Sequence, residues 1–78
     1  MTDQEMLARA VRFQIGEDVF VEKRGENRWC VSVFGTVVDR ELQRHYEPMP
    51  SSRTEEFIAA TRFDLNEAFD IAQRFDKL

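Results

Sequence analysis

The stretch that decides the fold is "VFVEKRGENRWCVSVF", residues 19–34, in which two runs rich in Val, Phe and Trp flank a polar centre. Branched and aromatic residues of this kind favour strands. The central "RGEN" is typical of a turn, in which we expect Gly25 to adopt a positive φ without steric cost. The pattern therefore predicts an antiparallel hairpin.

Side chains alternate between the two faces of a strand, so this hairpin can be divided by parity. One face carries Trp29, Val31 and Val33, which indicates a core face. The other face is mixed, and on it we expect an apolar cluster among polar groups, made of Phe20, Cys30 and Phe34.

Two more strands are predicted directly after the hairpin. "TVV" (36–38) follows Gly35 and reads as a third strand, and the polar "DREL" (39–42) fits a turn. "QRHYE" (43–47) is expected to form a fourth strand at the edge, because Pro48 cannot donate to a ladder. The result is a β-meander of three or four strands.

The segment "YEPMPSSRTEEF" (46–57) is interpreted as a strand exit, an extended link and a helix start. The prolines force extended geometry on the residues before them. Ser52 precedes Glu55 by three residues, which is the spacing of a capping box. A Pro-rich ligand motif is the alternative, but the stretch lacks the P-x-x-P spacing.

A second helix is predicted from "FDLNEAFDIAQRFDKL" (63–78), after a brief extended "TRF". Asp64 and Glu67 have capping spacing, and Phe63 is placed as a hydrophobic staple on Ala68. Asp70 and Arg74 are spaced as a helical ion pair. The apolar stripe of this helix comprises Leu65, Ala68, Phe69, Ala72 and Phe75, with Ile71 beside it.

Near the N-terminus, Thr2 and Glu5 have the same capping spacing, which predicts a short helix over about residues 3–12. The alternation in "VRFQI" (11–15) also permits an extended segment there. Together the patterns predict an α+β fold: an antiparallel β-meander packed against C-terminal helices, with a short N-terminal helix.

Composition bounds the remaining expectations. The 78 residues are expected to form one domain, 1–78, with a net charge of −4. A single cysteine excludes an internal disulfide. No apolar run is long enough to span a membrane, and "MTDQEMLARA" (1–10) lacks the features of a signal peptide. We therefore expect a soluble, cytoplasmic protein with no membrane partner.

Few residues suggest catalysis. His45 is the only histidine, so a metal site is not expected, and a surface position is favoured. Cys30 would need a nearby base to act as a nucleophile, and it is interpreted instead as a packing residue. The carboxylates have caps and ion pairs to explain them. We predict no enzyme activity and no cofactor.

Two kinds of partner remain open. A nucleic acid could contact cations that lie among aromatic residues, but interspersed carboxylates and the acidic net charge make it the weaker alternative. The mixed sheet face instead predicts protein contact, through a homodimer or a bound target, with the dimer favoured. The nucleic-acid candidates are Lys23, Arg24, Arg28, Trp29, Arg40, Arg44 and Tyr46.

The Trp-containing hairpin, the link "YEPMPSSR" (46–53) and "TRF" (61–63) followed by "DLNEAF" (64–69) resemble small uncharacterised proteins encoded in bacteriophages and prophages. The resemblance implies a protein that binds a host or phage protein, such as an inhibitor of a CRISPR-type defence complex. The candidate partner-binding residues are Phe20, Arg28, Cys30, Phe34, Arg40, Arg44 and Tyr46.

Overall fold

A computed structural model describes residues 11–78 and shows an α+β fold. Five antiparallel strands follow one another in the order β1–β2–β3–β4–β5 across a single sheet. The strands are β1 (Arg12–Gln14), β2 (Val19–Gly25), β3 (Arg28–Val33), β4 (Thr36–Val38) and β5 (Arg44–Tyr46). A 3₁₀ turn (Pro50–Ser52) precedes the helices α1 (Glu55–Thr61) and α2 (Leu65–Asp76).

The meander therefore has five strands where three or four were predicted, because "VRFQI" is extended. β1 pairs with β2, with Phe13 opposite Val21. Arg12 lies in this strand, so the predicted helix does not reach residue 12; its remainder, including Thr2 and Glu5, lies outside the described residues.

The predicted core face is confirmed. Trp29, Val31 and Val33 are buried, and the register places Val31 opposite Val21. The stripe of α2 packs on this face, where Ala68 and Ala72 are buried, and Ile71 beside the stripe is buried as well. Burial of these apolar side chains is the main stabilising term of the fold.

Phe63 joins the two helices to the sheet. Its backbone N–H and C=O both bond to Trp29 at 2.8 Å, so Phe63 forms a bridge beside β3. The predicted extended "TRF" is confirmed only for Arg62 and Phe63, because Thr61 is the last residue of α1. The Phe63 side chain is buried in the core. The Asp64 cap is confirmed, since its carboxylate accepts the N–H of Glu67 at 2.8 Å.

The cap predicted at Ser52 is wrong. Ser52 belongs to the 3₁₀ turn, where its N–H bonds to the carbonyl of Met49. Thr54 caps α1 instead, and its hydroxyl accepts the N–H of Phe57 at 3.1 Å. The positive φ expected at Gly25 is also wrong: Gly25 lies in β2, and the turn takes its positive φ at Asn27 (53°).

Candidate functional site

The turn between β3 and β4 exposes a large aromatic side chain. Val33 pairs with Thr36, so only Phe34 and Gly35 form the turn, with φ values of 47° and 74°. Two consecutive positive φ values are those of a type I′ turn, which favours Asn and Gly. Phe34 is 70% exposed despite this backbone. Bulky residues rarely adopt a positive φ. Leu42 in the next turn also does so, at 63°, but its side chain packs against the core, whereas that of Phe34 is exposed and gains little from packing.

Arg44 lies beside this turn. Its Nε donates to the Thr36 hydroxyl at 2.9 Å, and the Thr36 hydroxyl donates to the Val33 carbonyl. The guanidinium carbon lies 5.9 Å from the centre of the Phe34 ring. These contacts hold a cation next to an exposed ring.

Tyr46 completes the group. It lies opposite Thr36 in the β4–β5 ladder and is 86% exposed. Because Arg44 and Tyr46 are two residues apart on one strand, their side chains share a face. We call Phe34, Arg44 and Tyr46 the aromatic corner.

The aromatic corner brings together three of the seven predicted partner-binding residues. The expected apolar face of Phe20, Cys30 and Phe34 is wrong, because β3 ends at Val33 and Phe34 lies in the turn. Cys30 is fully buried, and burial raises the pKa of its thiol to about 11. Phe20 is half-buried, and the Arg12 guanidinium carbon lies 3.8 Å from its ring centre.

The remaining two predicted residues lie elsewhere. Arg40 forms a two-bond pair with Glu67 at 3.1 and 3.2 Å and donates to the Ala59 carbonyl at 2.6 Å. Arg28 is exposed and lines a groove of about 520 Å³ with residues of α1, including Glu55 and Ile58.

One charged cluster was not predicted. Glu47 contacts Arg24 at 3.2 Å and Arg53 at 3.7 Å, and it also pairs with Arg62. Burial alone would raise the pKa of Glu47, but hydrogen bonds from Arg24 and Arg62 outweigh burial and lower it. The cluster ties the link after β5 to β2 and to the segment before α2.

His45 and Asp39 form a second polar contact. His45 Nε2 lies 2.6 Å from Asp39 Oδ2, and Asp39 Oδ1 accepts the N–H groups of Glu41 and Gln43 at 2.9 Å. Burial would raise the pKa of Asp39, but these hydrogen bonds lower it. The arrangement holds the β4–β5 turn closed.

Within residues 11–78, no three His, Cys, Asp or Glu side chains are grouped closely enough to hold a metal ion. The same residues include no helix that is long and apolar enough to cross a membrane. Comparison of the chain with protein-family models, with curated proteins and with solved structures returns no match.

Proposed function

We propose that this chain is a non-enzymatic protein-binding module that contacts its partner through the aromatic corner. The observation that carries the proposal is Phe34, which is 70% exposed on a positive-φ backbone. A turn chosen only for stability would favour Asn here. Backbone outliers of this kind cluster at functional sites.

The composition of the corner supports a protein partner. Tyrosine and arginine are enriched among the residues that dominate interface affinity. Arg44 is oriented by Thr36 and by the Phe34 ring, so less side-chain freedom is lost when it binds. Such preorganised groups contribute more affinity than mobile surface side chains.

The resemblance to phage and prophage proteins supports a host or phage protein as the partner. In this proposal the module inhibits or modulates that protein, with a defence complex of the CRISPR type as one example. The mechanism is occupation of a surface, in which the corner excludes another molecule from the same site.

The test begins with the tagged chain as bait in a bacterial lysate, followed by affinity measurement with the purified partner. We expect Tyr46→Ala to weaken binding about 30-fold, the loss that follows removal of an interface hot spot. Val11→Ala is the matched control, because Val11 is also an exposed apolar residue, 66% accessible, at the opposite edge of the sheet. Equal affinity of the two variants would contradict the proposal.

A nucleic-acid partner is the second candidate, favoured by one observation: Arg44 lies near an exposed ring, as in sites that stack single-stranded bases. Of the other nucleic-acid candidates, Arg24 and Arg40 already pair with carboxylates, and the Trp29 ring is buried. Binding to an oligonucleotide that falls steeply with salt would favour this candidate.

A further inference from the structure

The backbone of β5 has hydrogen-bonding groups directed away from the sheet. In an antiparallel ladder, opposite residues alternate between pairs that exchange hydrogen bonds and pairs that do not. Asp39 donates to the carbonyl of Gln43 at 2.9 Å, which defines one hydrogen-bonded pair. Counting along the register, His45 opposite Val37 is the next such pair. Arg44 and Tyr46 therefore lie at positions whose N–H and C=O groups point outward.

Among residues 11–78, no strand pairs with this outer edge of β5. Arg44, His45 and Tyr46 are all exposed. The free edge is short, because Pro48 has no N–H to donate and Leu42 has a positive φ of 63°. It therefore offers four backbone hydrogen bonds, two from each of the outward-facing residues.

Arg44 places an exposed positive charge at this edge. Arg44 bonds to the neutral Thr36 hydroxyl and forms no ion pair with any carboxylate of the described segment. By contrast, five other arginines each pair with a carboxylate: Arg24, Arg40, Arg53, Arg62 and Arg74. Arg12 and Arg28 also form no ion pair within residues 11–78, but neither lies on β5. A partner carboxylate opposite Arg44 would supply the ion pair that this arginine lacks.

We propose that the partner adds an extended acidic segment to β5 as a sixth strand. Main-chain bonds to Arg44 and Tyr46 would supply affinity, and side chains on alternate positions would supply specificity. A carboxylate of the segment pairs with Arg44, and an apolar side chain two residues along, on the same face of the added strand, packs between Phe34 and Tyr46. This inference rests on the proposed function, since it names how the same corner binds.

A second copy of the chain would pair with the backbone of β5 but would leave the charge of Arg44 without a partner. If two β5 strands paired antiparallel about His45, Arg44 of each chain would lie opposite Tyr46 of the other. The backbone bonds would form, but neither guanidinium would gain a carboxylate. An acidic partner strand meets both the backbone and the charge requirement.

The test uses two short synthetic peptides in nuclear magnetic resonance titrations of the full chain. One carries glutamate and valine two residues apart, so that both lie on one face of a strand, and the other has lysine in place of the glutamate. We expect the glutamate peptide to shift the amide signals of Arg44 and Tyr46 and to slow their hydrogen exchange, with a Kd on the order of 1 mM. The lysine peptide should bind about tenfold more weakly. Arg44→Gln should abolish that preference.

Two substitutions separate backbone from side-chain binding. Tyr46→Pro and Tyr46→Ala both remove the ring, but only proline removes the outward N–H. That N–H makes no bond to β4, and the preceding residue is already extended, so we expect Tyr46→Pro to fold. The proline variant should bind the glutamate peptide more weakly than the alanine variant. A glutamate peptide N-methylated at the backbone amides that would face β5 should bind the unaltered chain more weakly, because those amides can no longer donate hydrogen bonds.

Four results would overturn the inference. In the first, Tyr46→Pro binds the glutamate peptide as well as Tyr46→Ala does, and the methylated peptide binds the unaltered chain as well as the unmethylated one. In the second, the lysine peptide binds as tightly as the glutamate peptide. The third is protection of the β5 amides that rises with protein concentration in the absence of peptide, and the fourth is larger shifts with an oligothymidine than with the glutamate peptide. The third would indicate a second copy on the edge, and the fourth a nucleic acid. If the captured partner is lost on Tyr46→Ala but no further on Tyr46→Pro, the proposed function stands and strand addition fails.

Discussion

Phe34 allows the energetic cost of a left-handed backbone conformation to be measured. With φ at 47°, it occupies the left-handed region, which costs an ordinary L-residue roughly 1–2 kcal/mol. Asparagine tolerates this region and, followed by Gly35, forms the preferred type I′ pair. Alanine has neither advantage. We therefore predict that Phe34→Asn is more stable than Phe34→Ala.

The structure sets the size of the effect. About a third of the Phe34 side chain is covered, given its exposure of 70%. A fully buried phenylalanine removes about 200 Å² from water, so the covered part is about 60 Å² and contributes about 1.5 kcal/mol at most. Both substitutions lose this term, which cancels in the comparison. The difference between the two variants is then the strain, about 1 kcal/mol in favour of Phe34→Asn.

Urea unfolding, followed by circular dichroism, measures the difference. We expect Phe34→Asn to lie within about 1 kcal/mol of the parent and Phe34→Ala to be destabilised by about 1–2 kcal/mol, with the slope of the transition unchanged. Both variants should lose partner binding. If the two variants unfold at the same urea concentration, the strain at Phe34 is not what the turn geometry indicates, and the main support for its functional role is removed.

Three further predictions follow from the polar contacts. Thr54→Ala should lower the free energy of unfolding by about 1 kcal/mol through loss of the α1 cap, whereas Ser52→Ala should change it little; thermal denaturation of both checks this. Glu47→Gln should lower the free energy of unfolding by about 2–3 kcal/mol, a value between those for exposed and buried ion pairs. The reason is that Arg62, whose side chain is 7% exposed, is left without its carboxylate. Urea unfolding of the variant tests this, and a loss below about 0.5 kcal/mol would contradict it. Asp39 and Glu47 have pKa values below their usual 3.8 and 4.5, so the unfolded chain binds more protons in acid. The stabilisation from these two carboxylates should be complete above about pH 4.5 and should fall as the pH drops through their lower folded-state pKa values. Urea unfolding between pH 7 and pH 2 measures this, and a free energy of unfolding that does not fall in acid would contradict it.

The helix starts show how far local patterns carry. Asp64 was identified from its spacing to Glu67, and the structure confirms that cap. The same spacing pointed to Ser52, but Thr54 caps α1. Both residues have suitable side chains with glutamates shortly after them, and the start of the helix depends on the 3₁₀ turn in the link. Spacing along the sequence cannot choose between two nearby candidate N-caps, because the conformation of the link sets the residue at which the helix starts.

The sheet faces show a similar limit. Parity correctly placed Trp29, Val31 and Val33 in the core, because side chains alternate strictly within a strand. It misplaced Phe34 because the rule ends with the strand, and β3 ends at Val33. The corner was therefore visible in the sequence only as separate residues, and the register of β3, β4 and β5 brought them together.

By itself the sequence determined the α+β class, the core hairpin and the apolar stripe of α2, since each depends on periodicities within a few neighbouring residues. Only the tertiary structure decided that Glu47 meets Arg24, 23 positions away, and Arg62, 15 positions away. The same holds for the position of Arg44 at the exposed edge of β5. The residues next to a charged side chain in the sequence do not predict which distant side chain it contacts, because strand register and the path of the link set its position.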